Sequence, residues 1–330
     1  MTGELSEAER KRLERDRRTR QNRRGRRNPA PVPAKLTRTS AFAPKRRGII
    51  DSNIERIFYV PGQSVVQVRG GELGSLHRDV IYALFRLKER MATLRIPNPD
   101  APQNGTLHGV PTHFEVIEVV TTWRELLKAQ GLTQHVNNLL TQKQVFQDLR
   151  QVVITIYEGN PDQIMEKLHR GRLGGRGMIT GIIDTVEWDG VNLDSKVKVR
   201  FGRGVLAAFR TKNLVSLNAE VQFALKSDYA KSFWPYIDSK PTHLFIDETM
   251  LASLVDREVY GERETDSTRS QFRKDCRQAF DDMVRAGGLK EWTIELLGAG
   301  KRKIRRYHYK HALPRKIEQE QIELPFQLAV

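Results

Sequence analysis

With a single cysteine in 330 residues, the chain has no internal disulfide framework and no zinc site built on thiolates. Cys276 falls on the apolar side of a helical repeat, where a thiol packs rather than reacts. No apolar run approaches the roughly 18 residues that a membrane-spanning helix needs. The first residues are charged and lack the apolar core of a secretory signal, so a cytoplasmic location is expected. Acidic residues are in short supply too: 40 Asp and Glu stand against 56 Lys and Arg, a net charge of +16. That excess favours polyanionic partners, nucleic acid first and an anionic membrane surface second. Hydrophobic residues make up 38%, adequate for globular cores once a polar tail is set aside, and the length suits two domains.

Three catalytic patterns are incomplete. The glycines of Arg170–Gly177 lack G-x-G-x-x-G order and lead into a strand rather than a helix. Gly298-Ala299-Gly300-Lys301 looks like the end of a P-loop, but Glu295 occupies the first glycine position and Arg302 replaces the Ser/Thr. His308 and His311 flank Tyr309, a juxtaposition that a nicking enzyme with a tyrosine nucleophile would use. A metal pair on one strand face needs i, i+2 spacing, and no third ligand clusters nearby. No enzymatic activity, cofactor or metal is therefore expected.

What is present is concentrated between Asp247 and Lys310. Asp247 is a good N-cap for a short helix, Glu248–Val255. After a break, a second helix runs from about Asp266 to Ala286 and stops at Gly287-Gly288. Phe272, Cys276, Ala279, Phe280 and Met283 recur at helical spacing as its apolar face. Ser267, Ser270, Lys274 and Arg277 point the other way, flanked by Gln271 and Arg273. Trp292–Leu296, a Gly298-Ala299-Gly300 turn and Lys301–His308 follow as a hairpin carrying Lys301, Arg302, Lys303, Arg305 and Arg306. A helix pair followed by a basic hairpin is the pattern of a winged helix, its second helix suited to the major groove and its wing to phosphates.

The chain leading there has a similar order. Residues 1–48 hold sixteen Lys/Arg against five Asp/Glu, and read as a disordered basic arm. Ile54–Val60 and Ser64–Val68 read as a hairpin. Ser75 caps a helix, His77–Met91, and His113–Val119 is a strand. Thr122 caps Trp123–Gln130, and a longer helix covers Leu139–Val152, with Val145, Phe146 and Leu149 inward and Lys143, Gln147 and Arg150 outward. Strands follow at Ile154–Glu158, Met178–Trp188 and Lys196–Phe201. Ser227 then caps Asp228–Ile237, ahead of the strand Thr242–Ile246. A capped helix, a strand, a short capped helix, a long helix and β structure thus occur twice. The expected fold is α+β: two tandem winged-helix domains at 49–210, with a strand-rich insertion, and 211–312, between the arm and a tail at 313–330.

The tail carries Gln321-Ile322-Glu323-Leu324-Pro325-Phe326, an apolar cluster after a charged linker. Leu324, Pro325 and Phe326 suit a partner's pockets and Gln321 its rim. The order resembles the hexapeptide by which bacterial polymerases dock on the sliding clamp.

Taken together, Ser40-Ala41-Phe42, Gly71-Glu72-Leu73, Thr122-Trp123-Arg124-Glu125-Leu126 and Asp266-Ser267-Thr268-Arg269 resemble the plasmid replication initiator proteins of broad-host-range type. The resemblance covers roughly residues 40–312. It implies a sequence-specific protein that binds origin repeats (iterons), helps open the origin and recruits the host initiator and replicative helicase, passing between dimer and monomer. Ser267, Ser270, Gln271, Arg273, Lys274 and Arg277 would then face DNA, with Lys301, Arg302, Arg305 and Arg306 on phosphates and Lys143, Gln147 and Arg150 in a second contact. A winged-helix transcriptional repressor that binds an operator as a dimer is the alternative.

Overall fold

The computed structural model describes residues 30–34, 36–42, 44, 53–60, 64–98, 112–210, 214–240, 243–261, 264–298 and 303–312. It begins with β1 (Ala30–Pro33) and a 3-10 turn at Ser40–Phe42, then the hairpin β2 (Ile54–Val60) and β3 (Ser64–Gly70). Next come α1 (Ser75–Arg86), β4 (Met91–Pro97), β5 (His113–Thr122), α2 (Trp123–Ala129) and α3 (Val136–Gln151). β6 (Val153–Glu158), α4 (Pro161–His169), β7 (Gly177–Gly181), β8 (Ile183–Trp188), β9 (Lys196–Phe201) and α5 (Arg203–Arg210) follow. The remainder is β10 (Leu214–Leu217), α6 (Ala219–Ala224), α7 (Asp228–Asp238), β11 (Phe245–Asp247), α8 (Glu248–Ser253), α9 (Asp266–Arg285), β12 (Leu289–Leu297) and β13 (Ile304–His311).

Two winged-helix units emerge from this order. In the second, α7, β11, α8, α9, β12 and β13 run in sequence and the sheet order is β11-β13-β12. The first repeats it with α1, β5, α2, α3, β8 and β9, and its sheet places β9 between β5 and β8, with β4 added outside. The first wing is therefore β8 and β9. β6, α4 and β7 intervene between α3 and that wing, and β6 and β7 join β2 and β3 in a separate antiparallel sheet, β2-β3-β6-β7.

The expected continuous strand over Met178–Trp188 breaks at Ile182, because β7 and β8 belong to different sheets. The chain at Gly202 crosses this break so closely that a Cβ there would lie 2.0 Å from the Gly181 carbonyl oxygen, a contact only glycine permits. Among the helix starts, Thr122 and Ser227 cap as expected, accepting from the amides of Glu125 and Ala230. Ser75 does not cap: Gly74 is the N-cap, and its amide donates to His77 Nδ1. The helix it opens ends at Arg86 rather than Met91, because Met91 begins β4 and pairs with Val119.

α1 joins the two units. Its residues from Arg78 to Phe85 are all buried, so it has no solvent face along that stretch. One side packs on α2 and α3, the other on α6 and α7. Two buried charged residues of α1, Arg78 and Asp79, lie in this seam. Asp79 accepts from Lys231 Nζ at 2.5 Å and from Gln222 Nε2 at 3.0 Å, while Arg78 Nη1 donates to the Lys231 carbonyl at 2.9 Å. Ser75 and Asp228 add a bond of 2.6 Å between the same helices.

Within the arm expected over 1–48, Ala30–Pro33 form a strand and Ser40–Phe42 a 3-10 turn. β1 pairs antiparallel with β10, Ala30 against Leu217 and Pro33 against Leu214. Ser40, Ala41 and Phe42 are buried, and the Arg78 guanidinium lies 5.1 Å above the Phe42 ring. Charge composition concealed this, because the apolar run Ala30–Pro33 is short and its partner strand is remote. Residues 1–29 and 313–330 lie outside the described residues.

Candidate nucleic-acid interface

α9 begins with a reciprocal cap. Thr265 Oγ1 accepts from the Thr268 amide, and the Thr265 amide donates back to Thr268 Oγ1. Phe272, Cys276, Ala279, Phe280 and Met283 are buried, and the helix ends before Gly287, whose φ of +74° suits a helix stop. Behind it Phe280 stacks on Tyr307 at 5.0 Å and meets Trp292 in a tilted contact at 5.4 Å. Burial pushes the Cys276 thiol well up, so it stays protonated and inert.

On the other side, Ser267, Ser270, Gln271, Lys274 and Arg277 are all exposed, as the helical spacing requires. The helix also carries four carboxylates, and each is engaged. Asp266 pairs with Arg269, Asp275 accepts from Gln271, Asp281 accepts from Trp292 Nε1, and Asp282 caps the amides of Lys226 and Ser227. Lys274 and Arg277 have no carboxylate partner among the described residues. With Ser270, Arg269 and Arg305 they line a shallow cup of about 440 Å³ whose one acid is Asp266. Arg305 Nε and Nη1 are buried in the described structure without a hydrogen-bond partner, a costly arrangement for a guanidinium.

Two of the cations expected on DNA are used inside the protein. Arg273 forms a two-pronged pair with Glu248, at 2.5 and 3.0 Å, and its Nη2 also donates to the Lys303 carbonyl. Glu248 has no exposed side-chain surface, and it holds the Arg273 guanidinium above its ordinary value. Its Oε2 also accepts from the Arg305 amide, so one carboxylate ties α8, α9 and the wing together. Arg306 pairs with Asp247 at 2.7 Å and lies 4.1 Å over the Phe245 ring. Asp247 thus spends its carboxylate on Arg306 and makes no side-chain cap. Lys301 and Arg302 lie outside the described residues, as do Gln321, Leu324, Pro325 and Phe326. Tyr309 is a core residue tilted against Phe280, and burial pushes its hydroxyl up.

A second latch was not legible beforehand. Arg257 pairs with Glu264 at 2.7 and 2.9 Å across the break between α8 and α9, and lies 5.0 Å over Phe272. Tyr260 donates to the Lys303 carbonyl at 2.6 Å, and Arg269 stacks on its ring. Only the concentration of charge around the break hinted at these pairs.

In the first unit, Lys143, Gln147 and Arg150 share the exposed side of α3. Arg150 Nε donates to the Asp184 carbonyl at the start of the wing. Beneath them Val145, Phe146 and Leu149 are buried, Phe146 beside Trp123.

Two winged-helix units sharing a buried helix define the fold, and in that fold the chain is similar to structures already solved. Domains 2 and 3 of RctB align with a TM-score of 0.53 at 9% identity, over 84% of this chain and 98% of that one. A Pi initiator protein, solved with iteron DNA, aligns with a TM-score of 0.47 at 11% identity, over 73% and 92%. No protein-family profile matches the chain, nor does any curated protein sequence. Among the described residues no helix is long and apolar enough to cross a membrane.

Proposed function

We propose that the protein is a sequence-specific DNA-binding initiator of plasmid replication, acting in the cytoplasm on double-stranded direct repeats. The observation that carries this reading is the outer side of α9. It presents two serines, a glutamine, a lysine and an arginine to solvent, while every acid on the helix is held by a neighbour. Such a face supplies hydrogen bonds to base edges and positive charge to phosphates. Ser267, Ser270, Gln271, Lys274 and Arg277 are the base-facing set. Arg305, with Lys301 and Arg302, serves the backbone. Arg273 and Arg306 act as positioning residues that hold helix and wing. Lys143, Gln147 and Arg150 make the second contact.

The finer parts rest on the sequence resemblance: origin opening, recruitment of the host initiator and helicase, a dimer that gives way to a monomer, and docking of Gln321–Phe326 on the host sliding clamp. The chemistry is binding alone, with no catalytic step.

Selection of bound sites from a random duplex library, with the full chain at near-physiological salt, tests the reading. The expected product is a non-palindromic site of about two helical turns, one turn for each unlike unit. A palindrome would point to a dimeric repressor instead, and no enrichment would remove sequence-specific binding altogether.

A further inference from the structure

The two long helices present different chemistry at their starts. Along α3, Val136, Leu140, Lys143, Gln147 and Arg150 recur at helical spacing on one side. The first two are bare hydrocarbon in water: Val136 is 57% exposed and Leu140 69%. Leu132, in the turn before the helix, is 38% exposed. At the start of α9 the outward positions are Ser267, Ser270 and Gln271 instead.

Charge narrows the choice of occupant. The same stripe runs on into Lys143, Gln147 and Arg150. The one acid of α3, Asp148, is turned aside onto His77 Nε2 at 3.1 Å and Gln144 Nε2 at 2.8 Å. A parallel, in-register contact between two copies at Leu140 would set lysine near lysine. Three side chains also fall well short of the roughly 800 Å² per partner that a stable dimer buries. A polyanion that offers apolar groups fits both halves of the stripe. In duplex DNA, the apolar group in the major groove is the 5-methyl of thymine. The first turns of a recognition helix are the part that reaches base edges, while residues further along lie nearer the backbone.

We propose that Val136 and Leu140 read thymine methyl groups, so that the first unit recognises its part of the site by hydrocarbon contact and the second by hydrogen bonds. This rests on the DNA-binding reading above. The test uses the full chain and its selected site, with each thymine replaced singly by deoxyuridine. That change removes one methyl and leaves base pairing intact. One or two positions on the first unit's side are expected to lose about fourfold in affinity, the equivalent of one buried methyl. Leu140→Ala, at an exposed position, is expected to abolish that sensitivity at one thymine and leave the others, and the unfolding midpoint, unchanged. Bound sites indifferent to uracil, or a Leu140→Ala protein with unaltered sensitivity, overturn the proposal alone. Loss of a dimer in Leu140→Ala, with thymine sensitivity retained, would assign the face to a second copy. Absence of any bound site would overturn the DNA reading and this proposal together.

Discussion

Glu248 decides the geometry of the second unit from a position with no contact to solvent. Its carboxylate meets Arg273 on α9 and the Arg305 amide on the wing. Breaking a buried pair by removing one partner is costly, so Glu248→Ala is expected to lower stability by about 3 kcal/mol in urea unfolding. Its DNA affinity should fall alike for all sequences. Lys274→Ala is expected to behave differently: about 1–3 kcal/mol lost on the selected site, with relaxed preference at one base pair and no change in unfolding. Binding titrations on matched and mismatched duplexes separate the two. The Arg257–Glu264 latch carries a pH dependence. Hydrogen bonds from Arg257 hold the Glu264 carboxyl below its ordinary value, so the folded state binds a proton less readily than the unfolded one. Its contribution is present above the ordinary glutamate range and is lost as pH falls through the depressed value. Denaturant midpoints taken from pH 7 downward should fall less in Glu264→Gln than in the parent protein. At this scale the exposed set on α9 was legible, because a 3.6-residue period sorts one helix into two faces. Arg273 was not, because its partner lies across a chain break that no period reveals.

Among elements, the two long helices were the easiest to anticipate and the first wing the hardest. Apolar spacing located α3 and α9 with their inner faces correct. The first wing escaped because β6, α4 and β7 separate it from α3, and β7 runs almost straight into β8 before changing sheets. α4 is short, with only Ile164 fully buried and Met165 and Leu168 packed beside it. In the second unit the bond between helix and wing is aromatic: Phe280 contacts Tyr307, Trp292 and Tyr309. Phe280→Ala is expected to cost about 3–5 kcal/mol, the range for truncating a buried phenylalanine, read as a lowered urea midpoint. DNA binding should weaken with it, since the wing then loses its register on α9.

For the whole molecule, two tandem units were apparent from the repeated order of elements, whereas the strap of residues 30–42 was not. That strap reaches β10 at one end and the Arg78 side of α1 at the other. Removing residues 1–29 is expected to leave the unfolding midpoint unchanged. That segment holds eleven Lys/Arg against five Asp/Glu. Its loss should therefore flatten the dependence of DNA affinity on salt. Removal through residue 42 should lower the midpoint as well, because β10 loses its pairing partner and Arg78 the ring beneath it.

The pairing of Ala30 with Leu217 also has a bearing on synthesis. Chains emerge from the ribosome N-terminus first, and domains generally fold as they appear. β1 emerges early, yet its partner strand follows only after the whole first unit has been translated. The nascent first unit therefore spends that interval with β1 unpaired, and with the far side of α1 uncovered. Closure of the molecule is a late event, and it can occur only when the second unit has begun to emerge.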